Sequence, residues 1–256
     1  MARKKRKRRF NSFLRIFFWL CLIIAGVCYT VNLFFIQPHV FYPGFQIEIP
    51  NGYQIHGIDV SRYQSVVNWA EVKNMEDNGI KIGFAFIKAT EGTNIVDGQF
   101  RRNWIGAEEQ NIPKGAYHFF VPGKNVQRQA KNFIQIVNLE NGDIPPVLDV
   151  EIRRRVSVVE MQKEVKEWLD AIEDHYGVKP IIYTNIDFYQ RYFQTGFDEY
   201  PLWIAHYLQP DKPRIENKWN FWQHSENGRV DGINAPVDFN VFNGDSLDFN
   251  SLLIAK

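Results

Sequence analysis

Cysteine is nearly missing from this 256-residue chain: there are two, Cys21 and Cys28, and both lie in one apolar run near the N-terminus. The rest of the chain can therefore form no disulfide, offers no thiolate nucleophile and supplies no cysteine-ligated zinc site. Metal-ligand spacings are lacking too. His56, His118, His206 and His224 never approach an HExxH arrangement, so they read as core or cleft residues, and His175 as a helix-end residue. There is no glycine-rich phosphate loop, no internal repeat and no persuasive Ser-His-Asp spacing. No cofactor and no metal is implied.

Net charge is almost absent as well, at +1, but that value averages two unlike parts. Residues 1–15 hold eight of the 30 basic side chains and no acid, leaving 22 basic against 29 acidic residues, a net −7 for the remainder. A domain that acidic is poorly suited to nucleic-acid phosphates, so no nucleic-acid partner is expected.

From Ile16 to Ile36 the chain runs 21 residues without a charge, long enough to cross a bilayer as a helix. A basic arm (1–15) ahead of such a span (16–36) stays on the cytoplasmic side, which places residues 37–256 outside. The alternative is a cleaved secretory signal, but the run is long for one and no small-x-small site follows cleanly. In Ala25-Gly26-Val27-Cys28 the valine is too large for a lipoprotein site. An uncleaved signal anchor is the expectation.

Residues 37–54 hold three prolines and two glycines and read as a semi-extended linker. Beyond them, short apolar runs alternate with segments of helical period. Strands are predicted at Ile55–Val60, Ile82–Lys88, Gly115–Phe120, Pro145–Glu151 and Pro180–Thr184. Helices are predicted at Asn68–Asn78 (with Gly79 as its stop), Asp97–Gln110 and Val126–Leu139. A long one starts at Ser157 and stops at Gly177, and a short one covers about Ile186–Phe193. The rhythm then changes: Leu202–Tyr207, Trp219–His224 and Val237–Phe239 read as strands with no long helix between them. Five strand–helix units with apolar strands imply a parallel sheet, and eight strands imply closure. The expected fold is α/β, a modified TIM-like barrel of five βα units and three strands lacking full helices, forming one domain over 55–256 behind the transmembrane helix.

In such a barrel the C-terminal strand ends carry the site. In Pro146-Val147-Leu148-Asp149-Val150-Glu151 alternation sets Asp149 and Glu151 on the same side, roughly 6.5–7 Å apart along the strand. Acids on so apolar a strand are costly unless paired or used. Asp59 closes the first strand and Asp238 lies in the last. Tyr117, Tyr183, Trp203 and Tyr207, with Gln223, fall at the same mouth. Carboxylates beside aromatic faces suit a carbohydrate, and glycoside cleavage needs two suitably placed carboxyls, or one plus a participating substrate group. The plainer readings are that Asp59 and Asp238 cap loops, that Lys88 and Glu91 form a structural ion pair, and that the tryptophans are core.

Taken together, HGIDVSRYQ (56–64), FAFIKATEG (84–92), GAYHFF (115–120), PVLDVE (146–151), IIYT (181–184), LWIAHY (202–207) and VDFN (237–240) resemble glycoside hydrolase family 25, the Chalaropsis-type lysozymes or N-acetylmuramidases. The resemblance covers about residues 55–245. It implies hydrolysis of the β-1,4 bond between N-acetylmuramic acid and N-acetylglucosamine, hence peptidoglycan glycan strands as partner. It also implies Glu151 as proton donor, Asp149 as the group orienting the substrate's N-acetyl, and Asp59 and Asp238 as cleft acids. Tyr117, Tyr183, Trp203 and Tyr207 fall where the family has cleft aromatics and hydroxyls. Retention through substrate assistance is the expected outcome, and an inverting route with Asp59 or Asp238 as base stays open. With the anchor, the expected location is a bacterial cytoplasmic membrane, single-pass, with a monomeric catalytic domain on the outer side. The alternatives are a catalytically silent wall-binding domain and a nucleic-acid or lipid-surface protein driven by the basic arm.

Overall fold

A computed structural model describes residues 14–27, 29 and 38–255. Residues 14–27 form a helix, α1, whose side chains are exposed. Among the described residues no helix is long and apolar enough to cross a membrane. Part of the predicted 16–36 span (28 and 30–36) and nearly all of the basic arm (1–13) lie outside the described residues.

Strands follow at β1 His39–Tyr42, β2 Ile47–Pro50, β3 His56–Val60, β4 Glu76–Asp77, β5 Ile80–Glu91, β6 Ile95–Val96, β7 Lys114–Phe119 and β8 Val147–Asp149. The last four are β9 Ile181–Asn185, β10 Leu202–Ala205, β11 Phe221–Gly228 and β12 Val237–Phe242. Helices α2 Trp69–Asn74, α3 Phe100–Glu109, α4 Val126–Ile134 and α5 Val158–Tyr176 separate the strands of the first half. The short α6 Ile186–Phe188 continues into a π-helical turn, Tyr189–Phe193, and α7 Ser246–Leu252 follows the last strand.

Eight of these strands close a barrel in the order β3-β5-β7-β8-β9-β10-β11-β12 and back to β3. All neighbours are parallel except β12, which runs antiparallel to both β11 and β3. Inward side chains fill the interior: Phe84 and Phe86 of β5, Val147, Ile181, Trp203, Phe221 and Phe242 form one buried cluster. Phe86 stacks on Trp203 at 4.1 Å between ring centroids. Such crowding needs a missing side chain opposite. A Cβ on Gly57 would come 2.5 Å from the Phe84 ring, so β3 carries glycine there. Phe249 of α7 packs on Phe84 and Phe242 and plugs the end away from the mouth. The other face of the strands packs against the helices through Leu148, Ile182, Ile204, Trp168 and Phe133.

Several predicted boundaries moved, each for a local reason. The first helix ends at Asn74, not Asn78, because Asn78 and Gly79 both take positive φ (48° and 87°) and turn the chain from β4 into β5. An Asn-Gly pair is the usual residue choice for such a tight hairpin. The helix predicted at 97–110 starts only at Phe100, since Asp97 is spent bonding the backbone N–H of Arg62 and of Gln99. The long helix keeps its predicted ends, with the Ser157 side chain accepting from Glu160 N–H and Gly177 left-handed after its last turn.

The described part of the predicted linker, residues 38–54, is not a semi-extended spacer. Residues 39–50 form the antiparallel β1–β2 hairpin, which buries Phe45, Ile47 and Ile49. Phe45 meets the outward ring of Phe239 at 5.0 Å, and the Phe45 carbonyl accepts from Arg229 N–H. The last strands lack helices to cover their outer face, and the hairpin covers it instead. Three prolines and two glycines looked like a spacer because its alternation spans only four residues per strand.

Candidate active site

At the C-terminal ends of the parallel strands, Asp59, Tyr117, Asp149, Glu151, Tyr183, Trp203, Tyr207 and Asp238 line one cleft of about 260 Å³ together with Gln223 and Glu226. All eight residues predicted for the site are therefore brought together. Larger hollows exist, such as one of about 640 Å³ beside α2 and α3, but among the described residues it is this cleft that gathers four carboxylates with raised pKa.

Strand register explains the convergence. Asp59 sits beside Phe86 in β3–β5, Lys88 beside Tyr117 in β5–β7, and Asp149 beside Tyr183 in β8–β9, so in-register neighbours present the same inward face. The strand β8 ends at Asp149, and Glu151 lies two residues further on in the loop, half-buried, still lining the cleft. Because β12 enters from the mouth, its second residue, Asp238, meets Asp59.

Beneath the cleft lies a hydrogen-bonded floor. Gln223 and Asn240 each donate a side-chain N–H to Asp59 Oδ2 at 2.8 Å. The Tyr183 and Tyr207 hydroxyls donate to Gln223 Oε1 at 2.9 and 2.6 Å, and the Trp203 indole N–H donates to Asn240 Oδ1 at 2.8 Å. Trp203, named for the cleft, is only 2% exposed and serves as floor beneath it. Asp149 is buried, and its Oδ1 has no hydrogen-bond partner.

Burial raises the pKa of every one of the four acids. For Asp149 the shift is large, with the Glu151 charge adding to it. For Glu151 burial comes first and the Asp59 charge second, while Lys88 opposes both. Asp238 is pushed up to about 9 by burial and by Asp59. Asp59 is raised less freely, because the Asn240 and Gln223 hydrogen bonds favour its charged form. A carboxyl whose pKa is raised keeps its proton to higher pH and can donate it to a leaving group. Lys88 projects from the inward face of β5, pairs with Glu91 at 2.8 Å and lies over the Phe119 ring. The predicted ion pair is thus real, and it also sets the cleft potential.

Two site residues escaped the sequence reading. Asn240 carries no charge and closes the VDFN motif unremarked. Glu226 lies beyond the predicted end of its strand. Alternation from Gln223 would turn 225 and 227 inward, but β11 shifts register between Gln223 and Ser225 and again before Gly228, which lets Gln223 and Glu226 line the same cleft. His56, His118 and His224 are buried, with pKa lowered to about 4, 3 and 3, first by desolvation. None of the three lines the cleft.

Comparison with known proteins bears on this geometry. The sequence profile of "Glycosyl hydrolases family 25" matches residues 58–233. The uncharacterized YegX protein of Escherichia coli (strain K12) is 48% identical over 226 residues, covering 84% of this chain and 83% of YegX. Lysozyme M1 of Streptomyces globisporus is 33% identical over 207 residues, covering 74% of this chain and 68% of its own. Among solved structures, a family 25 glycosyl hydrolase from Bacillus anthracis superposes with a TM-score of 0.73 at 33% identity, covering 80% of this chain and 96% of that one. The β1–β2 hairpin lies outside the matched profile.

Proposed function

The chain belongs to glycosyl hydrolase family 25 and is a glycoside hydrolase, and from that premise we propose that it is a lysozyme, a β-1,4-N-acetylmuramidase of peptidoglycan. The observation that carries the reading is the pair at the end of β8: Asp149 and Glu151 share one cleft, and both are raised in pKa by burial.

Glu151 protonates the glycosidic oxygen as the bond to the anomeric carbon of N-acetylmuramic acid breaks. The acetamido oxygen of that same sugar attacks the anomeric carbon and forms an oxazolinium ion, while Asp149 takes up the acetamido N–H. Its unpartnered Oδ1 is the acceptor suited to that bond. Glu151, now ionised, takes a proton from water, which opens the ring on the face first occupied by the leaving group. The sugar configuration is retained, as in substrate-assisted glycosidases. Asp59 is poorly suited to act as the base of an inverting route, since amide donors and Asp238 already hold it.

Proton NMR of the first-formed anomer tests the mechanism: the β-anomer supports it and the α-anomer replaces it with inversion. Mass spectrometry of digested peptidoglycan tests the activity, with muramic acid at the new reducing ends supporting the assignment and glucosamine overturning it. A chain that releases no product is a silent binding domain. The apolar exposed side chains of α1 and the basic residues before it support an anchor in the cytoplasmic membrane, with the monomeric barrel on the outer side. Fractionation of cells, with protease added from outside, tests that placement.

A further inference from the structure

The loop after Glu151 reads Ile152-Arg153-Arg154-Arg155, and all three arginines are exposed. None has a hydrogen-bond or ion-pair partner among the described residues. The ion pairs of the described residues are made by lysines at Glu76, Glu91, Glu108, Asp143, Asp170, Glu173 and Glu199, and none involves this loop, although Glu160 and Glu164 in the first turns of α5 stand beside it. A fourth free cation adjoins it. Lys124 is exposed and unpaired in the loop between β7 and α4, where Gly123 lies against Val156 and donates its backbone N–H to Glu164 of α5. Directly after the arginines comes the N-terminus of the 19-residue α5, whose dipole adds positive potential at the same place.

This basic rim stands against a cleft lined by five carboxylates, Asp59, Asp149, Glu151, Glu226 and Asp238. Arg153 follows Glu151 by two residues, so their Cα atoms are within about 7 Å. Three unpaired guanidinium groups on an acidic domain are not needed for its solubility, and the guanidinium fork matches a carboxylate better than any other common side chain.

We propose that Arg153, Arg154 and Arg155, with Lys124 beside them, form a subsite for the carboxylates of the peptide stems borne by the glycan, so that the enzyme selects peptide-substituted strands. The inference rests on peptidoglycan being the substrate. A muramic acid held at Glu151 carries its peptide on the lactyl group. The stem therefore leaves the cleft next to the bond being cut, where the arginine loop rises. The rim also offsets the repulsion that an acidic cleft exerts on an anionic polymer. Its contribution is to binding and not to the chemical step, because no arginine lines the cleft.

The test compares the full chain with the triple variant Arg153→Gln, Arg154→Gln, Arg155→Gln on three substrates: native peptidoglycan, the same material with its carboxyls amidated, and glycan stripped of stems by an amidase. On native peptidoglycan the variant is expected to raise KM about tenfold with kcat unchanged, as three partly exposed charge pairs allow. On amidated and on stripped material the two proteins should match, which also shows that the variant folds. Lysine at the three positions should restore part of the loss, and about 1 M salt, which screens charges beyond ~3 Å, should abolish the difference. Equal KM on native peptidoglycan, or the same tenfold loss on amidated material, overturns the subsite. A loss that persists on stripped glycan assigns the arginines to the lactyl carboxylate and overturns the stem assignment. A wild-type chain inactive on all three substrates overturns the muramidase reading and the subsite with it.

Discussion

Asp238 and Asp59 face one another across the antiparallel seam where β12 closes the barrel onto β3, and they share a hydrogen bond. Two carboxyls in contact cannot both ionise cheaply, so one holds a proton. Asp59 accepts two amide N–H bonds on one oxygen, which favours its charged form, and Asp238 therefore carries the proton.

This pair makes stability depend on pH. The folded-state pKa of Asp238, about 9, lies far above the unfolded value near ~3.9. A raised folded pKa stabilises fully below the unfolded value, and that stabilisation is lost as pH rises toward about 9. Asp238→Asn, which cannot ionise, should therefore be more stable than the wild type above pH 9, by about 1–3 kcal/mol. Near pH 4 the two should be similar. Thermal melts between pH 4 and 10 give the answer, and parallel curves would mean the proton is not held there.

Replacing the proposed acid is expected to stop turnover but not binding. Glu151→Gln should lower kcat by about 10²–10⁴, the usual contribution of a positioned general acid, while pull-down on insoluble peptidoglycan stays unchanged. A variant that keeps most of its turnover would move the acid role elsewhere in the cleft.

Lys88 holds down the pKa of both Asp149 and Glu151. The acid must be protonated to act, so kcat/KM should fall as pH rises through the Glu151 pKa. Lys88→Met removes the opposing charge and leaves Glu91 unpaired, and both changes raise that pKa. The alkaline limb of the pH–rate profile should shift to higher pH. A limb that stays in place or moves down contradicts the assignment of Lys88 as the tuning charge.

The hairpin makes a stability prediction that a flexible linker would not. Phe45 is fully buried against Phe239, so Phe45→Ala should cost about 3–5 kcal/mol in chemical denaturation. A cost near zero would return residues 39–50 to the role of spacer.

How much of this was legible beforehand differs from element to element. Strand cores and the long helix could be read directly, because apolar runs and the Ser157 and Gly177 signals are local properties of neighbouring residues. The acids Asp59, Asp149, Glu151 and Asp238 could be named for the same reason: a charge at the end of an apolar strand is visible without knowing what lies opposite. Their grouping at one mouth followed from strand order.

What the linear chain left open was everything set by contacts distant in sequence. That β12 runs antiparallel, so that Asp238 meets Asp59 and not solvent, is decided by barrel closure between residues about 180 positions apart. That Glu226 joins Gln223 in the cleft depends on register shifts against β12, which no alternation in β11 records. The hairpin is buried only because β11 and β12 lack helices and leave Phe239 uncovered. Local physics thus determined which residues would be strand, helix and acid. The closing of the sheet decided which acids touch, because burial and proton sharing arise between side chains and belong to no single stretch of chain.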